Sequence, residues 1–172
     1  METTRNESEI QLIRRASEFS QHAHEGQTRI SGEPYFLHSL AVANILAELN
    51  LDAETVSAAM LHDVVEDTDY SLDDIENIFG KKVAKIVDGL TKLSGDHNTN
   101  QALTLRKVLM TLAEDVRIVL IKIADRLHNM RTLVYLRRDR QIAIARETLD
   151  IFAPIANRLG INTIRLELED LG

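Results

Sequence analysis

The sequence predicts an all-α fold. Apolar residues recur at helical spacing along nearly the whole chain, no segment alternates as a half-buried strand does, and only two prolines and seven glycines interrupt the pattern. With 172 residues, 44% of them hydrophobic, the chain can bury a sizeable core and is too apolar for wholesale disorder. No Gly/Pro/Ser-rich stretch marks a linker, so residues 1–172 read as one domain.

A first helix is expected over about residues 9–24, where Ile10, Ile13, Ala16 and Phe19 share a face. Gly26, Gly32 and Pro34 then mark a loop, because Gly-Glu-Pro-Tyr breaks regular structure. A helix over about 37–49 follows, opened by His38 and continued by Leu40, Val42, Ala43, Ile45 and Leu46. Asp52 suits the N-cap of the next helix, which is expected to carry His62 and Asp63. Ser71 with Asp74 resembles a capping arrangement for a short helix ending near Gly80, and another helix should run to about Gly89. Residues 94–100 are the clearest loop, with His97 facing solvent. Helices resume at about 102–113, 116–133 and 139–153, with a last one after Gly160.

Composition narrows the function. The chain has no cysteine, which excludes disulfides, zinc fingers, Fe–S clusters and thiol catalysis and fits a reducing cytoplasm. No apolar run of about 18 residues and no apolar N-terminal segment suggests a membrane span or a secretory signal. A net charge of −7, from 20 basic and 27 acidic residues, argues against a general nucleic-acid surface. A small anionic ligand held by a local basic pocket or a metal remains open. No sequence pattern specifies an oligomeric state.

The chemistry concentrates in Leu61-His-Asp-Val-Val-Glu-Asp-Thr68. Four ionisable side chains follow the apolar lead-in Ala58, Ala59, Met60 and Leu61. Burying an unpaired carboxylate costs several kcal/mol, so a cation that neutralises the cluster is the simplest way to stabilise it. On a regular helix His62, Asp63, Glu66 and Asp67 fall at about 0°, 100°, 40° and 140°, within one face. The alternative is an exposed acidic helix end with a surface histidine. A second polar stripe, Lys122, Asp125, Arg126 and Asn129, runs along the most apolar helix. It is either one solvated edge with a Lys122–Asp125 charge cluster, or the lining of a cleft in which Asp125 faces His62 and Asp63 while Lys122, Arg126 and Asn129 face an anionic ligand. His22, His24, Arg29 and His38 surround the Gly26–Pro34 loop. His22 and His24 suit structural roles, whereas His38 can point into the same cleft.

These elements resemble the hydrolase domain of the RelA/SpoT family. The resemblance rests on His24–His38 (HEGQTRISGEPYFLH), Leu61–Thr68 (LHDVVEDT), Phe79-Gly80, Val87–Leu93 (VDGLTKL), Ile121–Leu133 (IKIADRLHNMRTL), Ala145–Leu149 (ARETL) and Ala153–Ile161 (APIANRLGI). It implies an all-helical HD-domain fold with a metal-centred cleft, and hydrolysis of (p)ppGpp at the ribose 3′ position to GDP or GTP plus pyrophosphate. It implies manganese held by His38, His62, Asp63 and Asp125, with Glu66 and Asp67 as the catalytic acidic pair. It matches Arg29 to the residue that packs on guanine, and Asn129 and Thr132 to residues lining the nucleotide site. Ser31 and Lys122 are further candidates for nucleotide or phosphate contact, and Lys122 and Arg126 for offsetting pyrophosphate charge. Ile30 departs from the family, in which many members carry a lysine. No synthetase region is present, so the chain reads as a stand-alone small hydrolase or as a domain of a longer bifunctional protein. Two other readings compete: an HD phosphohydrolase acting on another nucleotide such as NADPH, and a non-catalytic alarmone-binding module.

Overall fold

The computed structural model describes residues 5–94 and 101–172. Among them regular structure is helical, and the β-type pairing is a single antiparallel bridge between Thr28 and Pro34. Apart from Ser94, the loop expected at 94–100, with His97, lies outside the described residues.

Helix α1 (Glu7–Ala23) starts on Asn6, which shares reciprocal hydrogen bonds with Glu9 in a capping box. A small hairpin closed by the Thr28–Pro34 bridge leads to α2 (Phe36–Glu48). As expected, α3 (Ala53–Met60) is capped by Asp52, whose carboxylate accepts from the Thr55 N–H and hydroxyl. It then stops at Met60. This corrects the single helix expected through His62 and Asp63: Leu61, His62 and Asp63 form a tight turn before the short α4 (Val64–Asp67). The N–H groups of Leu61 and Val64 bond the carbonyls of Ala58 and Leu61, three residues back, each at 3.1 Å. The Ala59 carbonyl is taken instead by the His62 ring, 2.8 Å away.

A Ser71–Asp74 capping box opens α5 (Leu72–Phe79), and Gly80 ends it at φ +86°. Helix α6 (Lys81–Ser94) continues past its expected end at Gly89. That glycine serves packing rather than termination, since a Cβ there would lie 2.2 Å from Cδ1 of Ile118. Helix α7 spans Gln101–Glu114, and α8 spans Val116–Arg131 behind an Asp115 cap. The helix expected over 139–153 is instead α9 (Arg138–Glu147), a wide π-type turn at Thr148–Phe152, and α10 (Ala153–Arg158). Pro154 lacks an N–H, and its ring crowds the carbonyl four residues back, so the ladder widens before it. After Gly160, α11 (Asn162–Leu171) closes the chain.

Helix α8 is the central element. It packs against α2, α6, α7 and α11, while α1 and α2 both lie on α3. Ile121, Ile123 and Leu127 of α8 join Val42, Leu46, Leu61, Val87 and Leu168 in one core. Burying each such side chain contributes about 1.5–3 kcal/mol. This core brings the start of α2, the α3–α4 turn and the middle of α8 to one place. No helix among the described residues is long and apolar enough to cross a membrane.

Candidate metal centre and cleft

Three backbone features present the polar groups. His38 sits in the first turn of α2 and is buried, as are His62 in the α3–α4 turn and Asp125 on α8. His38, His62 and Asp63 each place a potential ligand atom within 4.8 Å of the others. Asp125 joins from α8, with Oδ1 3.3 Å from His38 Nε2. Asp63 Oδ2 lies 3.0 Å from His62 Nε2 and 3.8 Å from His38 Nε2.

The His62 tautomer follows from its partner. A carbonyl oxygen only accepts, so Nδ1 carries the proton donated to Ala59, and Nε2 points into the cluster. Nε2 is buried without a properly oriented hydrogen bond, despite its closeness to Asp63. A buried ring nitrogen left in this way, beside two carboxylates and a second imidazole, is a donor set that fits a divalent cation. In the protein alone, burial opposes charge on His62, but Asp63 and Asp125 overcome it and raise the pKa to about 9. Burial also opposes charge on Asp63, yet His62 holds it at about 2, and Lys122 with the histidines holds Asp125 well below the usual range. Burial lowers the pKa of His38.

The α8 stripe is partly turned inward. Lys122 Nζ lies 2.9 Å from Asp125 Oδ2 and donates to Ser94 Oγ, and Arg126 pairs with Glu147 while lying over the Phe152 ring. Both residues still line the cleft, but their charges are engaged by carboxylates, because each is mostly buried and an unpaired charge there is costly. Asn129 donates to Asp125 Oδ1 at 2.6 Å and accepts from Arg29 at 2.5 Å. Arg29 also approaches the Nδ1 atoms of His38 and His128, which lie 2.8 Å apart. If His38 Nε2 is to offer a lone pair, its Nδ1 must be the donor to His128. His128 suits the acceptor role, because burial and the neighbouring His38 and Arg29 lower its pKa to about 4.

Glu66 and Asp67 are exposed on α4. Although Glu66 is exposed as a residue, partial desolvation of its carboxyl and the charge of Asp63 raise its pKa. Asp67 is held by Tyr35, whose hydroxyl reaches both Asp63 Oδ2 (2.8 Å) and Asp67 Oδ2 (2.9 Å). Burial and these two carboxylates push the Tyr35 pKa far up, so the phenol stays a donor. His22 is exposed beside Glu25, whereas His24 is buried and stacks on Tyr35.

A cleft of about 900 Å³ opens from this centre. Arg29, Ser31, Lys122, Asp125, Asn129 and Thr132 line it, so every substrate residue expected from the sequence borders the same space. Ser31 donates to Glu33, and the Thr132 hydroxyl bonds the α8 carbonyls of His128 and Asn129. Sequence reading missed His128 and Tyr35. His128 was detectable, being one helical step from Asp125; Tyr35 lies where the chain has no period to read.

An all-helical fold holding two histidines and two aspartates at the end of a cleft has the build of a metal-dependent hydrolase. The chain belongs to the HD domain family, whose model matches residues 16–162. It is 53% identical over 170 residues to the bifunctional (p)ppGpp synthase/hydrolase SpoT of Escherichia coli, covering 96% of this chain and 24% of that protein. It is 52% identical over 166 residues to a GTP pyrophosphokinase of Streptomyces coelicolor, covering 95% of this chain and 20% of that protein. The chain thus spans about a quarter or less of these curated relatives. A solved metazoan ortholog of SpoT, described as hydrolysing ppGpp and acting in starvation responses, is 25% identical with a TM-score of 0.69, covering 98% of this chain and 96% of that one.

Proposed function

We propose that the chain is a manganese-dependent guanosine-3′,5′-bis(diphosphate) 3′-pyrophosphohydrolase. It would act on ppGpp and pppGpp, in the cytoplasm, as part of the stringent response. The convergence of His38, His62, Asp63 and Asp125 from three separate segments carries this reading. The extended similarity to the SpoT protein supports the choice of substrate.

In this reading those four residues hold the metal. When bound, it supplies a water of lowered pKa and polarises a phosphate oxygen. Glu66 and Asp67 divide the proton work: one takes a proton from the attacking water, and one returns a proton to the departing ribose 3′ oxygen. The raised pKa of Glu66 suits a group that must carry a proton for part of the cycle. Arg29 packs on the guanine, Asn129 and Thr132 border the nucleotide, and Ser31 lies at the rim. Lys122 acts by holding Asp125 rather than by contacting phosphate, because its ammonium already faces that carboxylate.

Metal analysis combined with product identification tests the proposal. The protein loaded with manganese should convert ppGpp and water into GDP and pyrophosphate. Intact ppGpp under these conditions, or faster turnover of NADPH, would refute it.

A further inference from the structure

We propose that Tyr35 is a positioning residue that ties the orientation of Asp67 to the occupancy of Asp63. Its hydroxyl lies 2.8 Å from Asp63 Oδ2 and 2.9 Å from Asp67 Oδ2. A phenol carries one proton, so it serves one of these carboxylates at a time. Asp63 Oδ2 is also the oxygen that faces the Nε2 atoms of His62 and His38. A cation held by the two imidazoles draws on that same oxygen and competes with the hydroxyl for it. Once the cation has it, the hydroxyl turns wholly to Asp67 and fixes that carboxylate.

The mount suits this role. The Tyr35 ring stacks on the buried His24, with centroids 4.8 Å apart and planes at 26°. His24 Nδ1 lies 2.8 Å from Gln27 Oε1, and Gln27 Nε2 donates to the Asp67 carbonyl at 2.8 Å. One hairpin therefore grips Asp67 by backbone and by side chain. The same hairpin carries Arg29 into the cleft.

The test is calorimetry with manganese alone, comparing wild type with Tyr35→Phe, which keeps the ring and its stacking. Losing a competing donor should tighten metal binding about two- to fivefold, and more strongly, about tenfold, in an Asp67→Ala background, where the hydroxyl has only Asp63 to serve. Weaker or unchanged affinity in Tyr35→Phe, or an equal gain in both backgrounds, overturns the inference. Kinetics with ppGpp supply a second arm, which rests on the hydrolase reading: kcat should fall about ten- to a hundredfold with KM within about twofold, and an unchanged kcat overturns the positioning role. If wild type leaves ppGpp intact while the metal measurements behave as stated, the hydrolase reading fails and this inference stands. Gln27→Ala, which cuts the backbone tether and the His24 contact but keeps the Tyr35 hydroxyl, should leave metal affinity unchanged, and a matching gain there would also overturn the assignment to the hydroxyl.

Discussion

The α3–α4 turn and helix α8 bring carboxylates to the same centre by opposite means. The turn interrupts its helix, spends a backbone carbonyl on the His62 ring, and leaves Asp63 reachable by Tyr35 from the hairpin. Helix α8 is continuous and buried, and it holds Asp125 between Lys122 and Asn129 of its own face. The turn is built for access, whereas on α8 the buried Asp125 is braced by neighbours of its own helix face. Changes at the turn should therefore damage chemistry first, and changes on α8 should damage chemistry and folding together.

The largest effect should come from the carboxylates themselves. Asp63→Asn and Asp125→Ala should each lower ppGpp turnover by about a thousandfold or more and abolish tight manganese binding. They should separate in stability. Asp125→Ala leaves the Lys122 ammonium buried without its partner, so metal-free unfolding in urea should show it about 2 kcal/mol or more below Asp63→Asn. Equal stabilities would erase the contrast between the two regions.

A second test moves to packing. Leu61 is fully buried and immediately precedes His62, so Leu61→Ala should cost about 2–5 kcal/mol by urea titration. Its effect on metal affinity should exceed that of an equally destabilising change on α8 remote from Asp125, such as Ile118→Ala, because only Leu61 anchors the turn. Equal losses of affinity would show that the turn needs no such anchor.

The smallest effect concerns the caps. Asp52 begins α3, and burial raises its pKa less than its hydrogen bonds to Thr55 lower it. A carboxylate depressed in the fold contributes stability above its unfolded pKa, 3.8, and loses it as pH falls through the folded value. Asp52→Ala should thus cost about 1 kcal/mol at pH 7, and less as the pH drops below 3.8. A penalty that stayed constant with pH would show that the cap acts without its charge.

Much of this contrast was readable in the sequence, for reasons that differ by region. Helix α8 keeps a 3.6-residue period, so its polar stripe stood out against Ile121, Ile123 and Leu127. The α3–α4 segment carried the right residues but the wrong geometry: Leu61, His62 and Asp63 hold no glycine or proline, so nothing local announces the break. It arises because the His62 side chain competes for a helical carbonyl. Gly89 misled in the other direction, since the glycine that suggested an end answers the proximity of Ile118, a contact between elements far apart in sequence. The pairing of Arg126 was hidden likewise, because its partners are Glu147 at the end of α9 and Phe152 in the π-type turn after it, far along the chain.

The clamp on Asp125 also decides which side of that carboxylate is turned to an ion. Oδ2 faces Lys122, while Oδ1, tethered by Asn129, is the oxygen directed toward His38 Nε2. An ion held by the two imidazoles would therefore meet Oδ1 first. Lys122, expected to touch the substrate, would in this way set the direction from which Asp125 approaches the ion.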